Sequence, residues 1–128
     1  MNRSNCILVS IFKNVNLGDS LMIKECNVQD LKLKLDEQAP IVLIDCREQD
    51  EWDQGHIEQA KLMPLSTFET QHLQTLTDKN ADIYIQCRSG ARSLNLCNYL
   101  LDHGFQHLTN VRGGIIAWAS AGFPIETK

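Results

Sequence analysis

The residues best suited to chemistry are Cys87-Arg88-Ser89-Gly90-Ala91-Arg92-Ser93, which follow the apolar run Ile83-Tyr84-Ile85 and precede Leu94 to Leu101. That order predicts a buried strand, a tight loop and a helix. At such a junction the loop and first-turn amides point inward and the positive end of the helix dipole lies beneath them, so the Cys87 sulfur is favoured as an anion. Arg88 and Arg92 add fork-shaped donors suited to a tetrahedral oxyanion, and Gly90 lets the backbone curl close to the sulfur. The chemistry is nucleophilic attack by a thiolate, with Arg88, Ser89, Gly90, Ala91, Arg92 and Ser93 holding the anionic part of the substrate. Two plainer readings stand beside it: a buried free cysteine can act as a small hydrophobe, and arginines at a helix start can be surface groups. Two arginines flanking Ser-Gly-Ala, however, are a poor choice for an ordinary turn.

The elements that position this loop can be read in order. Residues 1–21 carry one apolar run, Cys6 to Phe12, followed by turn formers, and predict a weakly structured extension; the domain is expected over 22–128. Ile23 to Cys26 predicts a short strand, and Asn27 an N-cap for a helix whose Val28, Leu31 and Leu35 share a face and which ends by Pro40. Ile41-Val42-Leu43-Ile44 reads as a central strand buried on both faces, delivering Asp45-Cys46-Arg47-Glu48 to its C-terminal end, where open α/β sheets place their ligand crevice. A short helix from Gln49 to Asp53 and a turn at Gly55 follow. Lys61 to Met63 predicts a third strand, and Ser66 with Glu69 a capping box for a helix to about Leu76. Asp82 to Gln86 is the strand before the loop. The helix after it is expected to bury Leu94, Cys97 and Leu101 and to end at Gly104. Leu108 to Val111 is the last strand, Arg112-Gly113-Gly114 a turn, and Ile115 to Ala121 a final helix holding Trp118. Alternation of strands and helices with short connections predicts a parallel sheet covered on both faces.

Composition narrows the function. A chain of 128 residues, 43% hydrophobic and 22% charged, is one globular domain. The net charge of -4 and scattered basic residues argue against nucleic-acid binding, and no apolar stretch is long enough to span a membrane. The five cysteines are odd in number and lack C-x-x-C spacing, which argues against a disulfide framework or a zinc site, and no cofactor is called for. Without a targeting signal, a reducing cytoplasm is expected, which suits a working thiol. Asp45 and Arg47 could support the site or form a structural ion pair. His56 reads as a hydrogen-bonded structural residue, Glu51, Asp53 and Glu58 as a solvated face, and Gly104 breaks the helix that would align His103 with His107 for a metal.

With these residues in place, the sequence resembles the rhodanese, or sulfurtransferase, family over about residues 22–128. The resemblance rests on Leu43-Ile44-Asp45-Cys46-Arg47-Glu48, Glu51-Trp52-Asp53-Gln54-Gly55-His56-Ile57, Cys87 to Ser93, and Gly113-Gly114-Ile115-Ile116-Ala117-Trp118, in that order. It implies a three-layer α/β/α domain with a five-stranded, mainly parallel sheet. It also implies that Cys87 takes a sulfane sulfur from thiosulfate or a persulfide donor, becomes a persulfide, and passes the outer sulfur to cyanide, a small thiol or a protein thiol. Cys46 departs from the aliphatic residue usual in the family. Two other classes remain: a cysteine-dependent phosphatase or arsenate reductase, and a non-catalytic interaction module. The phosphatase loop has five residues between Cys and Arg, whereas four separate Cys87 from Arg92, leaving less room above the sulfur. An interaction module usually lacks the cysteine, which is present.

Overall fold

The computed structural model describes residues 7–9 and 22–128. The strands are β1 (Ile7–Val9), β2 (Ile23–Cys26), β3 (Ile41–Asp45), β4 (Lys61–Leu62), β5 (Asp82–Gln86) and β6 (His107–Val111). The helices are α1 (Val28–Asp36), α2 (Gln49–Gln54), α3 (Ala91–Asp102) and α4 (Gly114–Ser120). The sheet order is β1-β2-β6-β5-β3-β4, with β2 to β4 forming the expected five-stranded parallel sheet. β1 adds a sixth strand, antiparallel, on the β2 edge. The extension predicted over 1–21 otherwise lies outside the described residues.

Alternation along the central strands sends side chains to two cores. Ile44 from β3 and Ile83 and Ile85 from β5 pack with Leu96, Cys97 and Leu100 of α3 on one face. Leu43 and Tyr84 pack with Leu31 of α1 and Trp118 of α4 on the other. Burial on both faces is what the continuous apolar runs of β3 and β5 require. The result is three layers, helix, sheet and helix.

Local signals place most ends. Asn27 caps α1 by accepting from Asp30 N at 2.8 Å. α3 buries Ser93, Leu96, Cys97 and Leu100 rather than the predicted Leu94, Cys97 and Leu101; the latter two leucines are only partly buried. The i, i+3, i+4, i+7 face is phased by Ser93, which points inward at the loop. The capping box predicted at Ser66 and Glu69 is absent, because Leu65–Thr67, Phe68–His72 and Leu73–Thr75 wind as successive 3₁₀ and π turns without a regular third position. Ser66 Oγ instead donates to Glu48 Oε1 at 2.7 Å.

At the end of β3, Asp45 and Arg47 form a buried ion pair. Arg47 Nε and Nη2 donate to the Asp45 carboxylate at 3.0 and 2.7 Å. Its remaining donors reach Glu51 O at 3.3 Å and Gly55 O at 2.8 Å, which pins α2 against the sheet. Arg47→Met leaves an unpaired carboxylate at a fully buried position, so unfolding free energy should fall by about 3–5 kcal/mol. Urea denaturation measures this; a loss within about 0.5 kcal/mol, as for an ordinary surface change, would show the pair to be dispensable.

Candidate active site

The site is built where β5 ends and α3 begins. Gly90 takes φ +116 as the helix N-cap, a left-handed conformation that turns its own amide back toward Cys87. Gly90 N donates to Cys87 Sγ at 3.1 Å and Ser93 N at 3.4 Å. Ser93 Oγ lies 3.3 Å from the same sulfur. These donors converge on an atom whose residue is only 1% exposed, so water contributes little and the protein itself must satisfy the charge. Of the predicted cradle from Arg88 to Ser93, only Gly90 and Ser93 donate to the sulfur. The first-turn amides of Ala91 and Arg92 have no intrahelical acceptor.

Two neighbours hold the loop in this shape: Asn110, which was not singled out from sequence, and Gly114, which was read only as part of a motif and a turn. Asn110, buried near the end of β6, accepts from the Ser93 hydroxyl and donates to Gly90 O at 3.2 Å and Glu25 Oε2 at 3.3 Å. It thus ties together the two residues whose amides hold the sulfur. Gly114 brings α4 against the loop, with Ile115 N donating to Cys87 O at 2.9 Å and Ile116 N to Arg88 O at 3.2 Å. A Cβ at Gly114 would lie 2.5 Å from Arg88 O, so this approach requires glycine. A polar residue inside a buried strand and the second glycine of a pair were the available signals.

The arginines divide. Arg92 forms a bidentate pair with Glu51, both contacts 2.8 Å, which corrects the reading of Glu51 as a solvated residue. The Arg92 guanidinium holds Glu51 down at about 2. Glu51 also accepts from Glu48 N at 3.0 Å, so the start of α2 aims it across to α3. Arg88 is exposed and borders a cleft of about 300 Å³ whose walls include Glu51 and Ile116. Ser89 and Ala91 are exposed at the loop's crest. Asp45 and Arg47 bind each other rather than the sulfur, and they reach the site only through α2. His56 is buried, with Nδ1 3.0 Å from Trp52 O and its ring stacked on Trp52 at 3.6 Å. Among the described residues no group of three His, Cys, Asp or Glu side chains could hold a metal ion.

The Cys87 thiol is held well below its ordinary range, chiefly by the Cys46 thiol, then against the opposing effect of burial by the Ser93 hydroxyl and the Ser93 and Gly90 amides. Cys46 is driven the other way by its contact with Cys87 and by burial. The two thiols are thus driven apart, with the negative charge favoured on Cys87 and Cys46 kept neutral.

A model of the rhodanese-like domain matches residues 27–121. The chain belongs to the rhodanese-like domain family. It is 38% identical over 104 residues to a sulfurtransferase of Allochromatium vinosum, covering 81% of this chain and 95% of that protein. It is 40% identical over 96 residues to a putative sulfurtransferase of Bacillus subtilis, covering 75% and 90% respectively. The crystal structure of a rhodanese-like domain protein from Staphylococcus aureus superimposes with TM-score 0.71 at 36% identity, covering 81% of this chain and 97% of that one. The chain thus belongs with the sulfurtransferases of this family, and its α/β architecture is the family's.

A depressed Cys87 keeps the rhodanese-like domain's thiolate present as pH falls below the usual thiol range. The iodoacetamide alkylation rate of Cys87 should therefore hold its plateau from pH 8 down to pH 6, where a thiol with a pKa of about 8.5 would be almost wholly protonated. Ser93→Ala should shift the alkylation midpoint up by about 1–2 units, the equivalent of one hydrogen bond to a charged group. A wild-type rate that declines from pH 8 like that of a free cysteine would contradict the depression.

Proposed function

We propose that the protein is a rhodanese-type sulfurtransferase that moves sulfane sulfur from thiosulfate or a persulfide donor through a Cys87 persulfide. The observation that carries this is the convergence of the Gly90 and Ser93 amides on Cys87 Sγ at 3.1 and 3.4 Å. Cys87–S⁻ attacks the outer sulfur of thiosulfate, the S–S bond breaks, and sulfite leaves with its electron pair. The persulfide is itself an anion. The amides at the start of α3 that lack an intrahelical acceptor supply further donors for that charge in this scheme. Attack on that outer sulfur by cyanide, a small thiol or a protein thiol then forms the product and returns Cys87 to the thiolate. The cleft beside Arg88 gives such an acceptor, or a donor's anionic end, a place to dock.

Arg92 serves sulfite departure in this scheme only if the donor's oxygens compete with Glu51, whereas Arg88 has no ion-pair partner among the described residues. Arg88 is therefore the first cation an approaching dianion meets. The phosphatase reading is disfavoured by the same loop geometry. Four residues between Cys87 and Arg92 close the amides onto the sulfur itself rather than onto a phosphoryl group above it. Residues 22–128 carry the activity, and the extension 1–21 joins the sheet edge through β1. A cytoplasmic setting with reduced thiols suits the cycle, with no nucleic acid or membrane as partner.

Purified protein incubated with thiosulfate and cyanide should release thiocyanate, and peptide mapping should find one added sulfur on Cys87. Cys87→Ser should abolish both while leaving the thermal midpoint nearly unchanged, because Ser is close in size but its hydroxyl stays protonated. Hydrolysis of an aryl phosphate that requires Cys87, with no sulfur retained, would replace this reading by the phosphatase one.

A further inference from the structure

Cys46 favours the Cys87 thiolate but takes no sulfur in the transfer just described, and its side chain lies beside the reacting sulfur. Register pairs Asp45 of β3 with Gln86 of β5, and Cys46 N donates to Gln86 O at 3.0 Å. The parallel ladder therefore continues one step past the strands and sets Cys46 opposite Cys87. Ile44 and Cys46 on one side and Ile83, Ile85 and Cys87 on the other belong to the same apolar cluster, so alternation puts both thiols on one face of the sheet. Adjacent strands lie about 4.8 Å apart, inside the Cα separation of about 4.4–6.8 Å that a disulfide spans. Both residues are free thiols.

We propose that Cys46 is a resolving thiol, which converts a peroxide-oxidised Cys87 into a Cys46–Cys87 disulfide and so keeps the site recoverable. The inference rests on the reading of Cys87 as a thiolate. In the first step Cys87–S⁻ attacks one oxygen of hydrogen peroxide, the O–O bond breaks, and the leaving hydroxide takes a proton to become water. Cys87 is then a sulfenic acid. In the second, the Cys46 sulfur attacks the Cys87 sulfur, the S–O bond breaks, and the hydroxyl leaves as water with the Cys46 proton. Two thiols and one peroxide give one disulfide and two waters.

Burial confines this reactivity. Cys46 is fully buried, and what little exposure the pair has belongs to Cys87. The ionisation of Cys46 is suppressed by its contact with Cys87, then by burial and by the Cys87 charge, and a neutral sulfenic acid at Cys87 removes the last of these. Cys46 is thus quiet while Cys87 is a working thiolate and becomes a better nucleophile once Cys87 is oxidised. Cys97, another buried thiol near the site, sits on α3, where burial first and then the charges of Cys87 and Glu25 oppose its ionisation, and it makes no hydrogen bond to Cys87.

The test treats the full chain at low concentration with a few equivalents of hydrogen peroxide, followed by alkylation, intact mass measurement and peptide mapping. Wild type should lose two hydrogens in mass, yield a Cys46–Cys87 linked peptide and regain its alkylable Cys87 on dithiothreitol. Cys46→Val should instead accumulate the irreversible sulfinic acid at Cys87, with about tenfold less recovery, whereas Cys97→Ala should behave as wild type. A wild type that reaches the sulfinic acid as fast as Cys46→Val, or links Cys87 to Cys97, would overturn the proposal. The wild-type peptide map decides alone should Cys46→Val fail to fold. Thiocyanate release, measured separately, distinguishes this from failure of the transferase reading: the disulfide can form in a protein that transfers no sulfur, and the reverse.

Discussion

A sulfur anion removed from water must be met by donors that the chain itself supplies, and the geometry of this protein is largely a consequence of that requirement. A buried charge without hydrogen bonds is too costly to persist. The amides of Gly90 and Ser93 and the hydroxyl of Ser93 meet it, and each is available only because the backbone curls through a left-handed glycine before α3 begins. Asn110 on one side and the start of α4 on the other hold that curl, using the Gly90 carbonyl, the Ser93 hydroxyl and the carbonyls of Cys87 and Arg88. The site is therefore preorganised by neighbouring strands and helices rather than by the loop alone.

Charge is organised in a second chain of contacts that runs from the sheet to the loop. Asp45 fixes Arg47, Arg47 fixes the backbone of α2, and α2 presents Glu51 to Arg92. Arg92 is thereby held at the start of α3, and its charge is offset by Glu51. Arg88, without an ion-pair partner among the described residues, leaves positive charge at the mouth of the adjacent cleft. The arrangement keeps positive charge at the cleft and a balanced pair beside the sulfur.

Much of the domain was legible because its local signals agreed with one another. The apolar runs of β3 and β5, the Asn27 cap and the order of loop and helix each match a single element in the structure. Readings failed where a local pattern had competing partners. Glu51 looks like one more charge on a polar helix, since nothing nearby in sequence reveals Arg92, which is 41 residues away. Ser66 and Glu69 satisfy the capping pattern, but Ser66 found Glu48 instead. The buried face of α3 was displaced from the expected one because Ser93, a polar residue, is turned inward by the sulfur rather than outward by its hydrophilicity.

By itself the sequence determined the alternating α/β class, the five parallel strands and the position of Cys87 at a strand-to-helix junction, because periodicity and capping act over a few residues. Only the tertiary structure decided which polar groups share an atom: that Asn110 holds Ser93, that Glu51 holds Arg92, and that Cys46 faces Cys87. Those contacts join β3, β5, β6, α2 and α3 across tens of residues, and strand order in the folded sheet, which no local pattern encodes, is what brings them together.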